Sequence, residues 1–325
     1  MKRYVLARLA WTLVATWLVL TLTFGLLVAA PDPGASAYVA GQVQEGADYE
    51  TARESYERAR GRDAPVLERY RNYLVGVATL DWGWSESRSQ PVIEAIATAW
   101  PYSVMYAAPA LLVSTVLGVA IGLYSATHRN SVEDYAASSL AFFGASIPDF
   151  WFAIVLLLVF GVSLDWIPLY FRTDVSWVSW TNVRQLAAPT LVVALSATAG
   201  EVRYARAAAL EYVNAEFIKA AKAKGVPPGR RVVRHVLRPA LVPLSTILIA
   251  DLLGVVLVSS YLVEVVFGIP GLGLLSYRAI VQGDVPLVLA TVLLPTFVAL
   301  LGNLLQDVAY AALDPRIDYG GREGR

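Results

Sequence analysis

Two carboxylates stand out because an apolar chain tolerates few of them: Asp251, near the middle of an apolar run, and Glu264, at the end of the same run. A charged side chain within a hydrocarbon layer is costly unless it is paired, hydrated or neutralised, so it marks either a polar path or a packed hydrogen bond. Both readings stand for each residue. Asp251 either serves a pathway or gate, or makes a buried interhelical contact as the protonated acid. Glu264 either lines a translocation path or holds a network at the interface, with Arg278 as its candidate partner. The next residues are VVFGIPGLG, where Pro270, Gly271 and Gly273 make a tight turn behind Phe267. A backbone break at membrane depth is tolerated where it is buried in protein or faces water. No GxxxxGK[ST], HExxH or GxSxG pattern accompanies these residues. Cysteine is absent and His128 and His235 are the only histidines, so neither thiol chemistry nor a His-based metal site is expected. The chain carries no visible catalytic site and no energy source of its own. Moving a solute uphill would need a partner or ion coupling.

The elements that must position these residues are apolar helices. The 325 residues are 57% hydrophobic and 16% charged, with 9 Trp, 17 Tyr and a mean hydropathy of +0.53, a balance rare in soluble domains. Six stretches approach the roughly twenty apolar residues that a bilayer-crossing helix needs: about 9–30, 99–124, 136–162, 186–202, 240–263 and 285–309. The fourth is the weakest, and its Ser196, Thr198 and Gly200 suit packing inside a bundle better than contact with lipid. The first begins with Lys2, Arg3 and Arg8 like a signal peptide, but its apolar run is longer and further spans follow, so it reads as an anchor. Asp149 and Asp165 fall by the third stretch and call for no special reading.

Basic residues gather in alternate connections: Lys2, Arg3 and Arg8; His128 and Arg129; nine Lys or Arg from Arg203 to Arg238; and Arg316, Arg322 and Arg325. The positive-inside rule makes that side cytoplasmic, with both termini inside. Loop 31–98 then lies outside; it holds seven Arg against eleven Asp or Glu, and its length weakens its vote. Its Glu/Arg pairs at 50–73 suit a helix in water, interrupted by Gly61 and Pro65, and Pro91 is placed to open a short helix over 91–100 before Pro101. Trp82, Trp84, Trp100, Trp166, Trp177 and Trp180 flank the outer ends as interfacial anchors or as packing of a small cap.

The largest cytoplasmic connection is basic and patterned. Ala, Glu and Lys dominate 207–224, which favours a helix, and Gly225 followed by Pro227, Pro228 and Gly229 stops it. Tyr212, Glu216, Lys219 and Ala220 lie on neighbouring turns, and Phe217, Ala220, Ala221 and Lys224 form an overlapping face with small residues. Such a helix can lie shallowly in a groove of another protein; the bland alternative is positive-inside charge plus helix packing. Arg230, Arg231, Arg234, His235 and Arg238 begin a second helix that enters the fifth stretch at Pro239.

This loop resembles the "EAA" region of binding-protein-dependent ABC transporter permeases, nearest the B-type subunit of the dipeptide/oligopeptide/nickel family. The residues corresponding to that family's pattern YVxxARAKGL, then a basic stretch and HxxRNAxxP, are Tyr212, Val213, Lys219, Ala220, Ala221, Lys222, Ala223, Lys224, Gly225 and Val226, then Arg234, His235, Val236, Leu237, Arg238, Pro239, Ala240 and Pro243. Lys219 stands where the general pattern has Glu, and Pro239 where the family has Asn. The resemblance extends over nearly the whole chain. Asp81, Gly83 and Ser85 look like GDxGxS; Tyr204, Ala205 and Arg206 like YAR; Glu264, Phe267, Pro270, Gly271, Leu272 and Gly273 like ExxFxxPGLG; and Leu313, Asp314, Pro315 and Arg316 like the terminal LDPR.

The resemblance implies an all-α membrane protein of six transmembrane helices with the type I ABC importer permease fold. It implies residues 1–30 as N-terminus and first helix, 31–98 as extracytoplasmic cap, 99–310 as a five-helix core and 311–325 as tail. Within the core, 203–238 would be the cytoplasmic coupling loop and 264–285 an extracytoplasmic loop. Tyr212, Glu216, Phe217, Lys219, Ala220, Ala221, Lys224 and Gly225 would couple to two cytoplasmic ATP-binding subunits, which would hold the ATP and Mg; this chain would need no cofactor. Asp251, Glu264, Phe267, Pro270, Gly271 and Gly273 would belong to the path or gate. A second homologous permease would complete the path, a solute-binding protein would meet the outer face, and no nucleic acid is implied. Short peptides are the expected cargo, with nickel or oligosaccharides as alternatives. A lone ion-coupled carrier would instead need a repeat-related pair of broken helices with buried ion ligands, and a membrane scaffold would leave the patterned loop unexplained.

Overall fold

A computed structural model describes residues 2–29, 33–59, 61, 63–241, 243–245, 248 and 261–313. Among these, helices dominate and the only strands are a two-residue antiparallel bridge pairing Trp84–Ser85 with Gln90–Pro91. Four helices are long and apolar enough to span a membrane: Tyr4–Ala29, Val92–Thr127, Trp180–Val213 and Val285–Val308. Two bent pairs would bring the number to six: Val132–Gly144 with Asp149–Ser163, bent by 93°, and Tyr261–Phe267 with Leu272–Gln282, bent by 86°.

The chain forms two compact units: Ala99–Leu274 with the segment from Leu301, and Lys2–Thr98 with Leu275–Leu300. In the second unit, α1 (Lys2–Ala29) packs on α4 (Val66–Ala78), with the Phe24 ring 5.1 Å from that of Tyr70 and Thr21 Oγ1 2.6 Å from the Tyr70 hydroxyl. Between them lie α2 (Pro33–Gln44) and α3 (Tyr49–Ala59). The expected charge ladder appears on α3, with Arg53–Glu57 at 2.9 Å and Arg58–Glu54 at 3.2 Å. Helix α3 stops before Gly61, which has φ +60°, and the chain resumes α-helix after Pro65.

Three expectations from the sequence are corrected. The short helix over 91–100 is not separate: α5 runs unbroken from Val92 to Thr127 through Pro101 and Pro109. Membrane helices absorb the amide that proline lacks through neighbouring groups and local adjustment. The third stretch, 136–162, is not a straight span. Helix α6 (Val132–Ser146) ends at Ile147, φ −84° and ψ 124°, and α7 (Asp149–Leu156) starts after Pro148. A residue before proline is pushed out of the helical region, so Ile147-Pro148 turns the chain. Asp149 lies in the first turn of the new helix, where a carboxylate favours the positive end of the helix dipole. The run then continues as a π-helical turn, Leu157–Ser163.

The third correction concerns the loop. Helix α8 runs from Trp180 to Val213, well beyond 186–202, so the expected single helix over 207–224 is divided. Ser179 caps its start by accepting from the Asn182 amide at 3.2 Å. Asn214 ends it, Ala215 is extended, and a short helix α9 (Glu216–Ala223) follows. Asparagine competes for backbone hydrogen bonds and so favours caps over helix interiors. Next come α10 (Pro228–Arg231), a π-helical turn Val232–Leu237, α11 (Tyr261–Phe267), α12 (Leu272–Gln282) and α13 (Val285–Leu313).

Helices α5 and α8 cross closely. A Cβ on Gly118 would collide with the Glu201 side chain, and one on Gly122 would lie 2.8 Å from the Val202 carbonyl. Gly118 and Gly122 form a GxxxG pair, which lets helix backbones approach. Below the crossing in sequence order, Tyr106, Ala153, Val192, Val263 and Ile269 bury a core that joins α5, α7, α8, α11 and the turn after it.

Candidate functional site

The tight turn expected around Pro270 is present, and Glu264 is at its centre. Helix α11 delivers this carboxylate fully buried, and the chain then bends by 86° through Gly268, Ile269, Pro270 and Gly271 into α12. Oε1 accepts from the Ser103 hydroxyl at 2.7 Å and the Tyr106 hydroxyl at 3.0 Å. Oε2 accepts from the backbone amides of Gly273 and Leu274 at 2.8 and 3.1 Å. Ser103 Oγ in turn accepts from the Leu272 amide at 2.9 Å. The carboxylate thus caps the start of α12, where amides lack intrahelical partners and the helix dipole favours negative charge. Arg278 supplies none of these four bonds. A side chain on Gly271 would meet both Ser103 Oγ and the Glu264 oxygens, so only glycine lets the turn close over the carboxylate. Phe267 is buried in the adjoining core. Asp251 lies outside the described residues.

At the other end of α5 and α8 a different contact forms. Asp134, in the first turns of α6, accepts from Arg206 Nε at 2.8 Å and Arg206 Nη2 at 3.0 Å. Ser125 Oγ donates to the same carboxylate, and so does the Asn130 amide, at 3.0 Å. This ion pair ties α8 to the α5–α6 connection. Arg206 was legible in the sequence as part of a YAR motif; Asp134 was not, since nothing local to it signals a partner 72 positions away.

Helix α9 carries Glu216, Phe217, Lys219, Ala220 and Ala221 of the residues expected to couple to a partner. Glu216 and Lys219 pair at 2.7 Å with both side chains well exposed. Phe217 is 48% exposed, and Lys219, Ala220 and Lys224 are also exposed. Ala221 turns inward, 7% exposed, and Ile218 packs partly buried against the cluster of Leu123, Ala209 and Val236. Tyr212 belongs to α8 and packs against the same cluster. Lys224 caps α9, and Gly225 follows with φ +74°, the left-handed residue that commonly ends a helix.

In the other unit, Asp284 is a buried carboxylate that the sequence reading passed over. It accepts from the Ser85 hydroxyl at 2.6 Å, the Ser87 hydroxyl at 2.6 Å and the Ser87 amide at 3.0 Å, while its second oxygen caps α13 through the Leu287 amide at 3.2 Å. Burial pushes the Asp284 carboxyl up, but the hydrogen bonds from Ser85, Ser87 and Leu287 outweigh it and hold the pKa below its usual value. Ser85 was read as the last residue of a GDxGxS motif, and the motif's serine was the available signal. Among the described residues no group of three or more His, Cys, Asp or Glu is placed to hold a metal ion.

The family described as "Binding-protein-dependent transport system inner membrane component" matches residues 118–319. The chain is 32% identical over 319 residues to the dipeptide transport system permease protein DppB of Bacillus subtilis, covering 98% of each. It is 32% identical over 320 residues to the oligopeptide transport system permease protein OppB of Haemophilus influenzae, covering 98% of this chain and all of the relative. A solved structure of the MetNI methionine ABC transporter in an inward-facing conformation shares the fold, with TM-score 0.51 and 18% identity over 66% of this chain and 96% of that chain. The motif resemblance and these full-length matches agree: the chain belongs to the binding-protein-dependent transport permeases of the peptide/nickel ABC importer family.

Proposed function

We propose that this permease forms half of a translocation path for short peptides and is driven by ATP hydrolysed on partner subunits. The observation that carries the substrate class is full-length similarity to permeases named for dipeptide and oligopeptide transport. In this reading a second homologous permease completes the path, and an extracytoplasmic solute-binding protein delivers cargo to the outer face. Both termini and the 203–238 loop are cytoplasmic, in the plasma membrane of a prokaryote. Helix α9 is the coupling element. Its exposed residues Glu216, Phe217, Lys219, Ala220 and Lys224 seat in a cleft of an ATP-binding subunit, while Ile218 and Ala221 fasten it to its own chain. A short helix anchored on one face and open on the other can carry motion between two global states of a transporter. The turn of Glu264, Phe267, Pro270, Gly271 and Gly273, with Asp251, belongs to the outer half of that path. Bent helix pairs also occur in ion-coupled carriers, but Glu264 already has hydrogen-bond donors from its own chain on both oxygens.

The test uses the transporter co-purified with its partner subunits and reconstituted in vesicles. Uptake of labelled di- or oligopeptides should depend on ATP and on the binding protein. Phe217→Ala and Ala220→Trp should cut peptide-stimulated ATP hydrolysis at least about tenfold, the loss of roughly one well-packed interface anchor, with membrane insertion unchanged. Normal coupling in both variants would remove α9 from its role. Transport of nickel or an oligosaccharide without any peptide would replace the cargo and leave the architecture standing.

A further inference from the structure

Beside α9 lies a groove of about 1130 Å³ that shares only Ile218 and Lys219 with the transport reading. Its wall is apolar: Val116, Val119 and Leu123 from α5 face Val236, Leu237 and Leu241. Val116, at 65% exposure, and Leu241, at 42%, are open, while Leu123 and Val236 are buried and form the floor. Its rim is basic. His128, Lys219, Lys222 and Arg231 stand at one end, and among the described residues that line the groove none is acidic. Lys219 already bonds Glu216 at 2.7 Å, so Lys222 and Arg231 supply the charge at the rim.

The dimensions fit one occupant. Along α5 the lining runs from Thr115 to His128, roughly 20 Å at helical rise. That is about one leaflet of a hydrocarbon core some 30 Å thick, with room for a headgroup. Exposed apolar surface of this extent marks a membrane or partner contact, and basic pockets between membrane helices suit anionic headgroups. A free anion would have no use for the apolar wall, and an uncharged lipid would have none for the rim.

We infer that this groove binds one anionic phospholipid, its acyl chain lying along α5 and its phosphate held by Lys222 and Arg231. The site stands on geometry and charge and does not rest on the transport assignment. Ile218 and Lys219 of α9 form part of the same lining, so a bound lipid braces the helix at its attachment.

The test is lipid retention by the full-length permease through delipidation, read by native mass spectrometry and by titration with phosphatidylglycerol, phosphatidylcholine and inorganic phosphate. Phosphatidylglycerol should stay bound, and phosphatidylcholine should bind at least about tenfold more weakly, as expected from two basic residues at an anionic headgroup. Inorganic phosphate should not displace the lipid. The double variant Lys222→Gln with Arg231→Gln should abolish the preference, and Val116→Trp, which fills the apolar end and keeps the rim, should lose both lipids. Arg129→Gln, a nearby base outside the groove, should change nothing. Equal binding of the two lipids overturns the inference, as does displacement by phosphate. Retention by both the double variant and Val116→Trp does so too. So would loss of the lipid on assembly with the partner subunits, because the groove would then be a subunit interface.

Discussion

The Glu264 turn and the α9 loop are both built around charged residues in an apolar chain, and they treat charge in opposite ways. Glu264 is fully buried and accepts four hydrogen bonds from hydroxyls and amides of its own chain. On α9, Glu216 and Lys219 pair with each other at 2.7 Å, both well exposed to solvent. A buried charge must be satisfied internally or it costs more than the fold can supply. An exposed pair contributes little and leaves its surface available. The first region is therefore a fixed joint, and the second an open surface. The Asp134–Arg206 pair lies between them, with a buried carboxylate and an arginine side chain 30% exposed.

The largest effect expected is at Glu264. Replacement by alanine removes the acceptor shared by two hydroxyls and two backbone amides, a loss of more than ~3 kcal/mol. Thermal unfolding in detergent should fall sharply, and the yield of folded protein with it. Glu264→Gln retains shape but presents an NH2 to donors, and should fall between alanine and wild type. A wild-type melting curve for the alanine variant would break the contrast. Arg206→Ala should cost less, about 2–3 kcal/mol, because the stranded Asp134 charge is buried while solvent reaches the arginine. An equal loss from Asp134→Ala would show the cost to be the pair itself.

Asp284 offers a pH test. Its pKa is lowered in the folded state, so its contribution is fully present above the unfolded value near ~4 and is lost as pH falls through the folded value. The drop in melting temperature on acidification should shrink in Asp284→Asn; an unchanged profile would assign the acid sensitivity elsewhere. The smallest effect is expected at the exposed pair. Lys219→Ala or Glu216→Ala should shift stability by no more than about 0.5 kcal/mol, whatever either does to coupling. A destabilisation matching that at Glu264 would mean α9 is a joint as well.

Much of this organisation was legible along the chain. The turn at Pro270-Gly271, the stop at Gly225 and the helical charge ladder of α3 follow from residues a few positions apart. The break at Ile147-Pro148 was equally local and went unused, because the apolar composition around it reads as one continuous span. So did Gly118 and Gly122, whose spacing signals a close crossing without naming the helix crossed. The end of α8 at Asn214 was masked by the helix-favouring residues on both sides of it.

By itself the sequence determined which segments are apolar enough for a membrane, where basic residues gather, where glycine and proline interrupt helices, and which family motifs occur. These depend on composition and short-range backbone geometry. Only the tertiary structure decided that Glu264 is capped by Ser103 and Tyr106, about 160 positions away, that Asp284 gathers Ser85 and Ser87, and that Ala221 turns inward while Phe217 stays exposed. The physical reason is that a buried polar group takes whichever donors packing brings within hydrogen-bonding distance, and that distance is set by helix crossings rather than by separation along the chain.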